Sequence, residues 1–482
     1  MTALAVAAVV AVVAAGGVIG GAPAAGADPV VGTGPCATDP PVEHESIVPE
    51  KVNIPVPYPW VEPVPFPAPE PEPVRVAQDP LPADPCRNPC PDLTDGPDLS
   101  PSGLSSTLGI PQIGLDFNPF VFGIPVAGPP EDLPDPPEQA DPPTETAPTA
   151  PKRATPQVGA VDMVGKVTGA SSTNRTDKRW QVNGTDLGIM WESEPGKVAV
   201  AFGDTVGRGF QPPGGQGEDW RSNVLGFSTD RDLADGLTID TFVQDSRCHA
   251  AEVLGSRKID NVEITTIPTS GFAIGSRQYM SYMSIRTWFS IPATWYTNHG
   301  GIAYSDDGGQ TWTKDPYARW DNIFGLGKFQ VASMVPQGGY VYMFGTPNTR
   351  LGEVALARVP QDQVLNKSAY QYWSDGEWTP VGGARSASPI VWGTAAEASV
   401  RYDAARDVWQ MTYLDTLRTG ITLRESDTPQ GLWSEPARLV GVESYPELYG
   451  GFIHPWSTPD ELYFTLSTWS DYNVFLMRAE LD

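Results

Sequence analysis

Five stretches of β-forming residues that look alike recur through the later part of the 482-residue chain, and they constrain its fold more than any other feature. They begin at Ser222, Gly300, Gly352, Gly420 and Tyr472 and read SNVLGFSTD, GGIAYSDDGGQTW, GEVALARVP, GITLRESDTPQGLW and YNVFLMRAELD. Each is rich in β-branched or aromatic residues and is bounded by Gly, Asp, Asn or Pro. Two or three further strand candidates fill each interval. Repeated units of four strands are typical of propeller blades, so the sequence predicts an all-β, five-bladed β-propeller.

A proline-rich region precedes this repeat. Residues 28–157 hold 34 of the 51 prolines. Because each proline fixes φ and removes a backbone donor, we expect an extended, largely non-regular linker of polyproline II type before a propeller domain at 158–482. Its side chains Tyr58, Trp60 and Phe66 are free to follow a surface, although a solvated stalk is the simpler interpretation. An apolar patch from Ile113 to Ile124 is a candidate to dock on the propeller.

Residues 1–27 form an Ala/Val-rich apolar run that ends in a small-x-small sequence before Asp28. This pattern predicts a secretory signal peptide, with an uncleaved N-terminal anchor as the alternative, although no Lys or Arg precedes the apolar core. Either way we expect a secreted or cell-envelope protein, and no later segment is apolar for long enough to span a bilayer.

Four cysteines fit an exported protein, in which disulfides form. Cys86 and Cys90 are close enough in sequence to close a small loop. Cys248 is interpreted either as a buried free thiol or as the partner of Cys36.

The formal net charge of −27 is spread over both parts of the chain. Nucleic acid and anionic membrane surfaces need a basic footprint on their partners, so the charge argues against both. A neutral polymer such as a glycan imposes no such requirement.

The stretch from Asn183 to Thr205 carries the candidate chemistry. Two short apolar runs, 187–191 and 198–202, are separated by a polar Pro-Gly turn and are predicted to pair as a hairpin. Asp186 would then precede one strand and Asp204 would follow the other, so both carboxylates emerge at one end. Two carboxylates facing one space are the minimum for acid/base hydrolysis of a glycosidic bond. The alternative is that both aspartates only cap local turns.

Other side chains suited to sugar hydroxyls or sugar rings are candidates to line the same mouth of the channel. These substrate-binding candidates are Asn183, Arg221, Asn223, His454, Trp469, Tyr472 and Asn473. Trp469 could instead fill the gap between blades, and His454 could be structural. The four histidines are widely spread and there is no phosphate-binding loop, nucleophile elbow or HExxH pair, so we expect neither a metal nor a cofactor.

The segment Ser305-x-Asp307-x-Gly309-x-Thr311-Trp312 is similar to the Asp-box of sialidase-like propellers. In that element the aspartate caps a hairpin turn and the tryptophan packs between strands. We therefore assign Asp307 and Trp312 to structure rather than to chemistry.

A more specific resemblance covers residues 158–482 in order. The sequences VNGTDLGIMW, VAVAFGDT, WRSNVLGFSTD, IAYSDDGGQTW, YVYMFGTPNTRLGEVALARV and STWSDYNVFLM resemble the domain of unknown function 4185 family of actinobacteria, including mycobacteria, now classed as glycoside hydrolase family 183. The resemblance implies a five-bladed propeller that cleaves α-linked D-arabinofuranose inside cell-wall arabinan, in arabinogalactan and lipoarabinomannan. It also implies that the catalytic pair is Asp186 and Asp204, whose Gly-Thr-Asp-Leu-Gly and Gly-Asp-Thr motifs are intact.

On this reading the favoured mechanism is inversion with Asp186 as base and Asp204 as acid, the pKa of Asp204 being raised by burial beside Phe202. Swapped roles and retention stay open. The alternative function is a non-catalytic glycan-binding propeller displayed by its proline-rich stalk.

Overall fold

The computed structural model describes residues 51–55, 58–60, 112–116, 119–121, 152–289, 294–380 and 383–482. In the proline-rich region it contains four short strands, β1 (Lys51–Pro55), β2 (Tyr58–Trp60), β3 (Gln112–Asp116) and β4 (Pro119–Val121). β1 pairs with β3 and β2 pairs with β4, both in parallel. These stretches therefore differ from the isolated polyproline II chain expected here. The predicted signal peptide, Phe66, and the cysteines at 36, 86 and 90 lie outside the described residues.

From residue 158 onward the chain forms five blades, each a sheet of at least four strands joined in antiparallel order. Blade one contains β6 (Leu187–Glu194), β7 (Lys197–Phe202), β10 (Val224–Ser228) and β11 (Thr241–Phe242). Blade two contains β14 (Thr265–Ile274), β15 (Arg277–Trp288), β16 (Trp295–Ser305) and β17 (Thr313–Asp321). Blade three contains β18 (Val331–Gln337), β19 (Tyr340–Thr346), β20 (Val354–Pro360), β21 (Gln371–Ser374), β22 (Glu377–Thr379) and β23 (Pro389–Val391). Blade four contains β24 (Ala396–Asp403), β25 (Val408–Asp415), β26 (Gly420–Ser426) and β27 (Ala437–Gly441). Blade five contains β28 (Leu448–Ile453), β29 (Glu461–Thr468), β30 (Asn473–Leu481) and β5 (Val158–Lys166).

The remaining elements lie in the connections between these strands. They are β8 (Thr205–Val206), β9 (Trp220–Arg221), β12 (Gln244–Ser246), β13 (His249–Ala250), the single-turn helix α1 (Thr176–Trp180) and 3₁₀ turns at Ile323–Gly325, Gln361–Gln363 and Lys367–Ala369. No helix among the described residues is long and apolar enough to cross a bilayer.

The first strands of the five blades, β6, β14, β18, β24 and β28, form a closed ring. Each contacts the next, and β28 contacts β6. This arrangement confirms the predicted five-bladed β-propeller. The five sequence stretches that look alike correspond to the third strands of the blades, β10, β16, β20, β26 and β30.

The fifth blade joins the two ends of the domain. β5, the outermost strand, pairs antiparallel with β30 near the C-terminus. Just before β5, Arg153 lies 2.5 Å from Asp427, an ion pair with blade four. The sequence offered no sign of this closure, because the strand and its partner are separated by the whole domain.

The Asp-box behaves as predicted. The Oδ1 atom of Asp307 accepts the backbone N–H of Thr311 at 2.9 Å, and its Oδ2 atom accepts the hydroxyl of Thr311 at 2.6 Å. The Trp312 indole N–H donates to the carbonyl of Gly309, and its ring packs edge-on against Trp191 of blade one, with centroids 6.4 Å apart. The motif therefore fastens a hairpin of blade two to blade one, and the assignment to structure is confirmed.

All five inner strands begin at the same end of the ring, which we call the mouth. The strand registers place there the loops that join β7 to β10, β15 to β16, β19 to β20, β25 to β26 and β29 to β30. The loops that lead into each inner strand lie at the same end. Side chains from all five blades can therefore meet at the mouth.

Candidate active site

Asp186 and Asp204 flank one hairpin at the mouth. β6 and β7 pair antiparallel with Leu187 opposite Phe202, so Asp186 directly precedes this pair and Asp204 follows it by two residues. The backbone is close: a Cβ atom on Gly203 would lie 2.3 Å from Oδ1 of Asp186, so only glycine fits between the two aspartates. The hairpin predicted from sequence is thus confirmed, and it brings both carboxyl groups to one wall.

The environment of Asp186 favours its neutral, protonated form. Its Oδ2 accepts a hydrogen bond of 3.0 Å from the phenol of Tyr449, the second residue of inner strand β28. Its Oδ1 is buried and has no hydrogen-bond partner among the described residues. Burial, followed by the charge of Asp204, raises the pKa of Asp186 from 3.8 to about 8.

Asp204 has more hydrogen-bond donors. Its Oδ1 accepts the hydroxyl of Thr265, the first residue of inner strand β14, at 2.6 Å, and the indole N–H of Trp220 also donates to it. Burial raises its pKa to about 7, while these two donors lower it and so offset part of the burial effect. Hydrogen-bond donors stabilise the charged form of a carboxyl group, so these contacts favour the carboxylate form of Asp204.

A buried ion pair stands behind Asp186. The guanidinium of Arg350 contacts Oε1 of Glu397 through Nε at 3.0 Å and Nη2 at 2.5 Å. Glu397 Oε2 also accepts the backbone N–H of Gly450, next to Tyr449. The guanidinium lies over the Tyr449 ring, 4.8 Å from its centroid. The pair therefore fixes the phenol that donates to Asp186.

Tyr472 and Trp469 form the wall on the side of blade five. Tyr472 is only 3% exposed, and burial, together with the charges of Asp186 and Asp204, raises its pKa well above the usual value. Trp469 is 49% exposed, and its ring meets that of Tyr472 edge-on at 5.7 Å. The loop between β7 and β10 covers both rings at Gly214 and Gly215, where a Cβ atom would lie within 2.8 Å of ring atoms. Of the sugar-binding candidates, these two aromatic residues are brought to the carboxyl pair.

Asn183 and Asn473 lie next to that wall. The Asn473 side chain is 3% exposed, accepts the hydroxyl of Thr168 at 2.8 Å and donates to the carbonyl of Asn183 at 3.4 Å. Asn183 is partly exposed, and its backbone N–H donates to Val206. Asn473 therefore supports the loop that carries Asn183.

The side chains of the other three candidates are buried and make contacts inside the fold. Arg221 is 4% exposed and donates to the carbonyls of Ala250 and Gln181. Asn223 is fully buried, and both its amide and its carbonyl make hydrogen bonds to the loop that leads into β14. His454 is fully buried just after β28, at the end away from the mouth, where its ring packs on Trp456. The structure does not bring these side chains to the carboxyl pair.

Sequence reasoning missed five residues of the site, namely Trp220, Thr265, Arg350, Glu397 and Tyr449. Three of them occupy the first or second position of an inner strand, at the mouth end. That position is a signal only once the blades have been aligned, because nothing in the local motifs marks it. Three residues at the mouth, Leu187, Glu397 and Tyr472, also hold positive φ angles of 70°, 52° and 49°. Such strain clusters at functional sites.

The turn between β12 and β13 carries a disulfide at Cys248. Cys248 is disulfide-bonded, which excludes the free-thiol alternative, and its partner lies outside the described residues. The neighbouring His249 lies between Asp245, at 2.6 Å, and Asp219, at 3.1 Å. Among the described residues no group of three or more His, Cys, Asp or Glu side chains is arranged to hold a metal ion.

The fold and site define a five-bladed propeller with an aspartate pair at its mouth, whose two carboxyl groups lie in different surroundings. The chain belongs to the family of the domain of unknown function DUF4185, whose model matches residues 171–478.

Among curated proteins, the chain is 34% identical over 344 residues to notoamide biosynthesis cluster protein J of an Aspergillus species, covering 64% of this chain and 88% of that protein. Among solved structures, a putative hydrolase from Bacteroides ovatus is 15% identical with a TM-score of 0.46, over 63% of this chain and 87% of that one. A family 117 glycoside hydrolase, Zg3597 from Zobellia galactanivorans, is 11% identical with a TM-score of 0.41, over 67% and 90%. These two structural similarities are too weak to carry an argument about activity.

Proposed function

We propose that the protein is an exported glycoside hydrolase that cleaves α-linked D-arabinofuranose within cell-wall arabinan. The proposal rests on one observation: the two neighbouring carboxyl groups at the mouth have different surroundings, which favour the protonated form of Asp186 and the carboxylate form of Asp204. Environments that push two carboxyl groups toward different protonation states provide the acid and the base that glycoside hydrolysis requires. The motifs around Asp186 and Asp204 support arabinan as the substrate through their resemblance to endo-D-arabinanases. The Cys248 disulfide and the apolar N-terminus support export.

The hydrogen bonds favour the opposite assignment of roles from the one first considered. Asp186 is the acid: its carboxyl group, kept protonated by burial, delivers a proton to the leaving oxygen as the bond from that oxygen to the anomeric carbon breaks. Asp204, held as a carboxylate by Thr265 and Trp220, takes a proton from a water molecule whose oxygen forms the new bond to that carbon. The proton balance is closed when Asp204 returns its proton to solvent and Asp186 regains one.

Tyr449 and the Arg350–Glu397 pair are positioning residues in this scheme. The phenol orients the Asp186 carboxyl group through Oδ2. Trp469, which is half exposed and packs against the buried ring of Tyr472, supplies an aromatic face on which a sugar ring can stack.

The test is digestion of purified arabinogalactan by the full chain, with new reducing ends counted and product anomers followed by NMR. Asp186→Asn and Asp204→Asn are compared with Asp306→Asn, an exposed aspartate paired with Arg277 at the end of blade two away from the mouth. We expect product from the wild type and from the control variant only. Undiminished product from both site variants would overturn the assignment of the pair. Retention of arabinan in a pull-down without any new reducing ends would instead identify a non-catalytic glycan-binding propeller.

Activated substrates separate the two roles. An aryl arabinofuranoside with a nitrophenol leaving group needs no protonation, so Asp186→Asn should keep most of its activity on it. Asp204→Asn should lose activity on both kinds of substrate. The reverse pattern would restore Asp204 as the acid. Products that keep the anomeric configuration of the substrate would show retention, with Asp204 as nucleophile rather than base.

A further inference from the structure

Exposed apolar side chains are concentrated at the mouth. Among the described residues, all but three of the large hydrophobic side chains that are exposed lie on loops at this end; the exceptions are Met163, Tyr317 and Leu432. Exposed apolar groups scattered singly are normal, but grouped ones mark interaction surfaces. The mouth is therefore the face through which the propeller meets a partner.

Three of these side chains form what we call the rim patch, made of Leu351, Trp392 and Leu417. They are 67%, 71% and 73% exposed. They come from three loops, one between β19 and β20, one before β24 and one between β25 and β26. The patch therefore lies where blades three and four meet.

The loops under the rim patch are fastened to one another. The backbone N–H of Ala395 donates to the carbonyl of Gly352 at 2.8 Å, which ties the Trp392 loop to the Leu351 loop. The N–H of Leu417 donates to the hydroxyl of Thr394 at 3.2 Å, which ties in the third loop. The patch is thus displayed on a connected support and is not a set of unrelated loop tips.

The rim patch is continuous with the candidate active site. Leu351 directly follows Arg350, whose backbone carbonyl accepts the hydroxyl of Thr416 at 3.4 Å while its guanidinium points inward to Glu397 and Tyr449. Tyr449 in turn donates to Asp186. One wall therefore carries the acid's hydrogen-bond donor on its inner side and the rim patch on its outer side.

The side chains of the rim patch indicate what kind of ligand it binds. An exposed indole and two exposed leucines on connected loops offer an apolar surface, and the acidic chain disfavours anionic membranes and nucleic acid. We propose that the rim patch is a distal subsite where a ring of a neutral polysaccharide stacks on Trp392, several sugars away from the bond being cleaved. This inference rests on the proposed function, because the polymer must run from the carboxyl pair across blade four's edge to reach it.

The first test is kinetic, on the full chain. Trp392→Ala and the triple variant with Leu351→Ser and Leu417→Ser are compared with Tyr317→Ala, which removes an aromatic side chain of 73% exposure from the outer strand of blade two. We expect kcat/KM on polymeric arabinan to fall about tenfold for Trp392→Ala, the equivalent of ~1.4 kcal/mol, with the loss in KM. Turnover of a short synthetic arabinofuranoside should stay within about twofold. Equal losses on polymer and short substrate, or none on either, would overturn the inference.

The second test does not need activity, and so separates the failure of this inference from that of the proposed function. Mobility of the Trp392→Ala and wild-type proteins is compared in native gels that contain arabinogalactan, arabinan or another neutral polysaccharide. Slower migration of the wild type only, in any of these gels, supports a glycan subsite even if no bond is cleaved. Equal mobility in all of them overturns it. The inference is also overturned if Trp392→Ala changes vesicle binding or sedimentation as a dimer without changing mobility in the gels. In that case the rim patch would bind a lipid surface or a second copy of the chain.

Discussion

Tyr449 donates a hydrogen bond to Oδ2 of Asp186, and the other oxygen of that carboxyl group has no partner among the described residues although it is buried. Tyr449 lies on inner strand β28, and Asp186 directly precedes inner strand β6, where the ring of blades closes. The phenol fixes one oxygen of the carboxyl group, and burial raises its pKa. These surroundings suit a group that carries a proton to a bound substrate.

Loss of either carboxyl group should stop hydrolysis. Asp186→Asn and Asp204→Asn keep the shape of the side chain but cannot transfer a proton, so we expect turnover of arabinan to fall by about 10² to 10⁴. Circular dichroism and thermal melting should show folded protein in both cases. A variant that is folded and retains more than about a tenth of the wild-type rate would remove that residue from the mechanism.

The pH profile should be a narrow bell. Asp204 must be ionised and Asp186 protonated, so kcat/KM should rise through about pH 7 and fall through about pH 8, as the pKa values of the two groups require. Tyr449→Phe removes the hydrogen bond that lowers the pKa of Asp186, and the falling limb should move to higher pH. Tyr402→Phe, which removes an exposed phenol at the far end of β24, should leave both limbs in place. A broad profile flat from pH 5 to pH 9 would contradict these assignments.

Sequence reasoning succeeded where the signal is local. The hairpin from Leu187 to Phe202 was readable because its turn falls at Pro195 and Gly196, and the latter adopts a φ of 85° that glycine tolerates. The five similar third strands were readable because each is a short run of β-forming residues bounded by turn residues. The Asp-box was readable because its hydrogen bonds join residues within four positions.

The rest of the site depends on ring closure. Tyr449 and Asp186 are 263 residues apart in sequence, and Thr265 and Asp204 are 61 apart, so no spacing rule links them. The same limit explains why Arg221 and Asn223 were placed among sugar ligands. Their sequence is polar and close to Asp204, but the strands turn both side chains into the fold, where backbone groups satisfy them.

Removing the charge of Asp186 should stabilise the protein at high pH. The folded state holds a proton on this group up to about pH 8, whereas the unfolded chain releases it near 3.8, so the folded state binds more protons in between and stability falls as pH rises through that window. The side chain of Asp186→Asn does not ionise, so the variant does not lose stability in this way as the pH rises. Its melting temperature should therefore exceed that of the wild type, by more at pH 9 than at pH 5, with each ~1 kcal/mol worth roughly 2 °C. An equal difference at both pH values would show that the carboxyl group is not held neutral by the fold.

Breaking the Arg350–Glu397 ion pair should destabilise the fold, whereas replacing both members by neutral side chains should change its stability little. In Arg350→Met the carboxylate of Glu397, whose side chain is 11% exposed, loses its cation, and we expect about 3 kcal/mol of destabilisation. The double variant Arg350→Met, Glu397→Gln should recover most of it, since no buried charge is left alone. Urea unfolding measures both values, and the Arg438–Glu443 pair on the surface serves as the control, with an expected cost below about 1 kcal/mol. Strictly additive effects at positions 350 and 397 would contradict the coupling.

Peptide mapping should identify the partner of Cys248. Without reduction, alkylation should leave Cys248 unmodified, because it is disulfide-bonded. In Cys248→Ser, one of the thiols at 36, 86 or 90 should become reactive, and the labelled peptide names the partner; Cys36 is the candidate given by the sequence. Ser246→Ala, two residues away, should leave every cysteine protected. Labelling of Cys248 in the unreduced wild type would refute the disulfide.

The pairing of β5 with β30 also sets a schedule for folding. Among the strands of the propeller, β5 is synthesised first and its partner at Asn473–Leu481 is synthesised last. The ring therefore cannot close until β30 has been made, and blade five keeps an open edge until then. A truncation that removes β30 would leave the ring unjoined, however well the other four blades had folded.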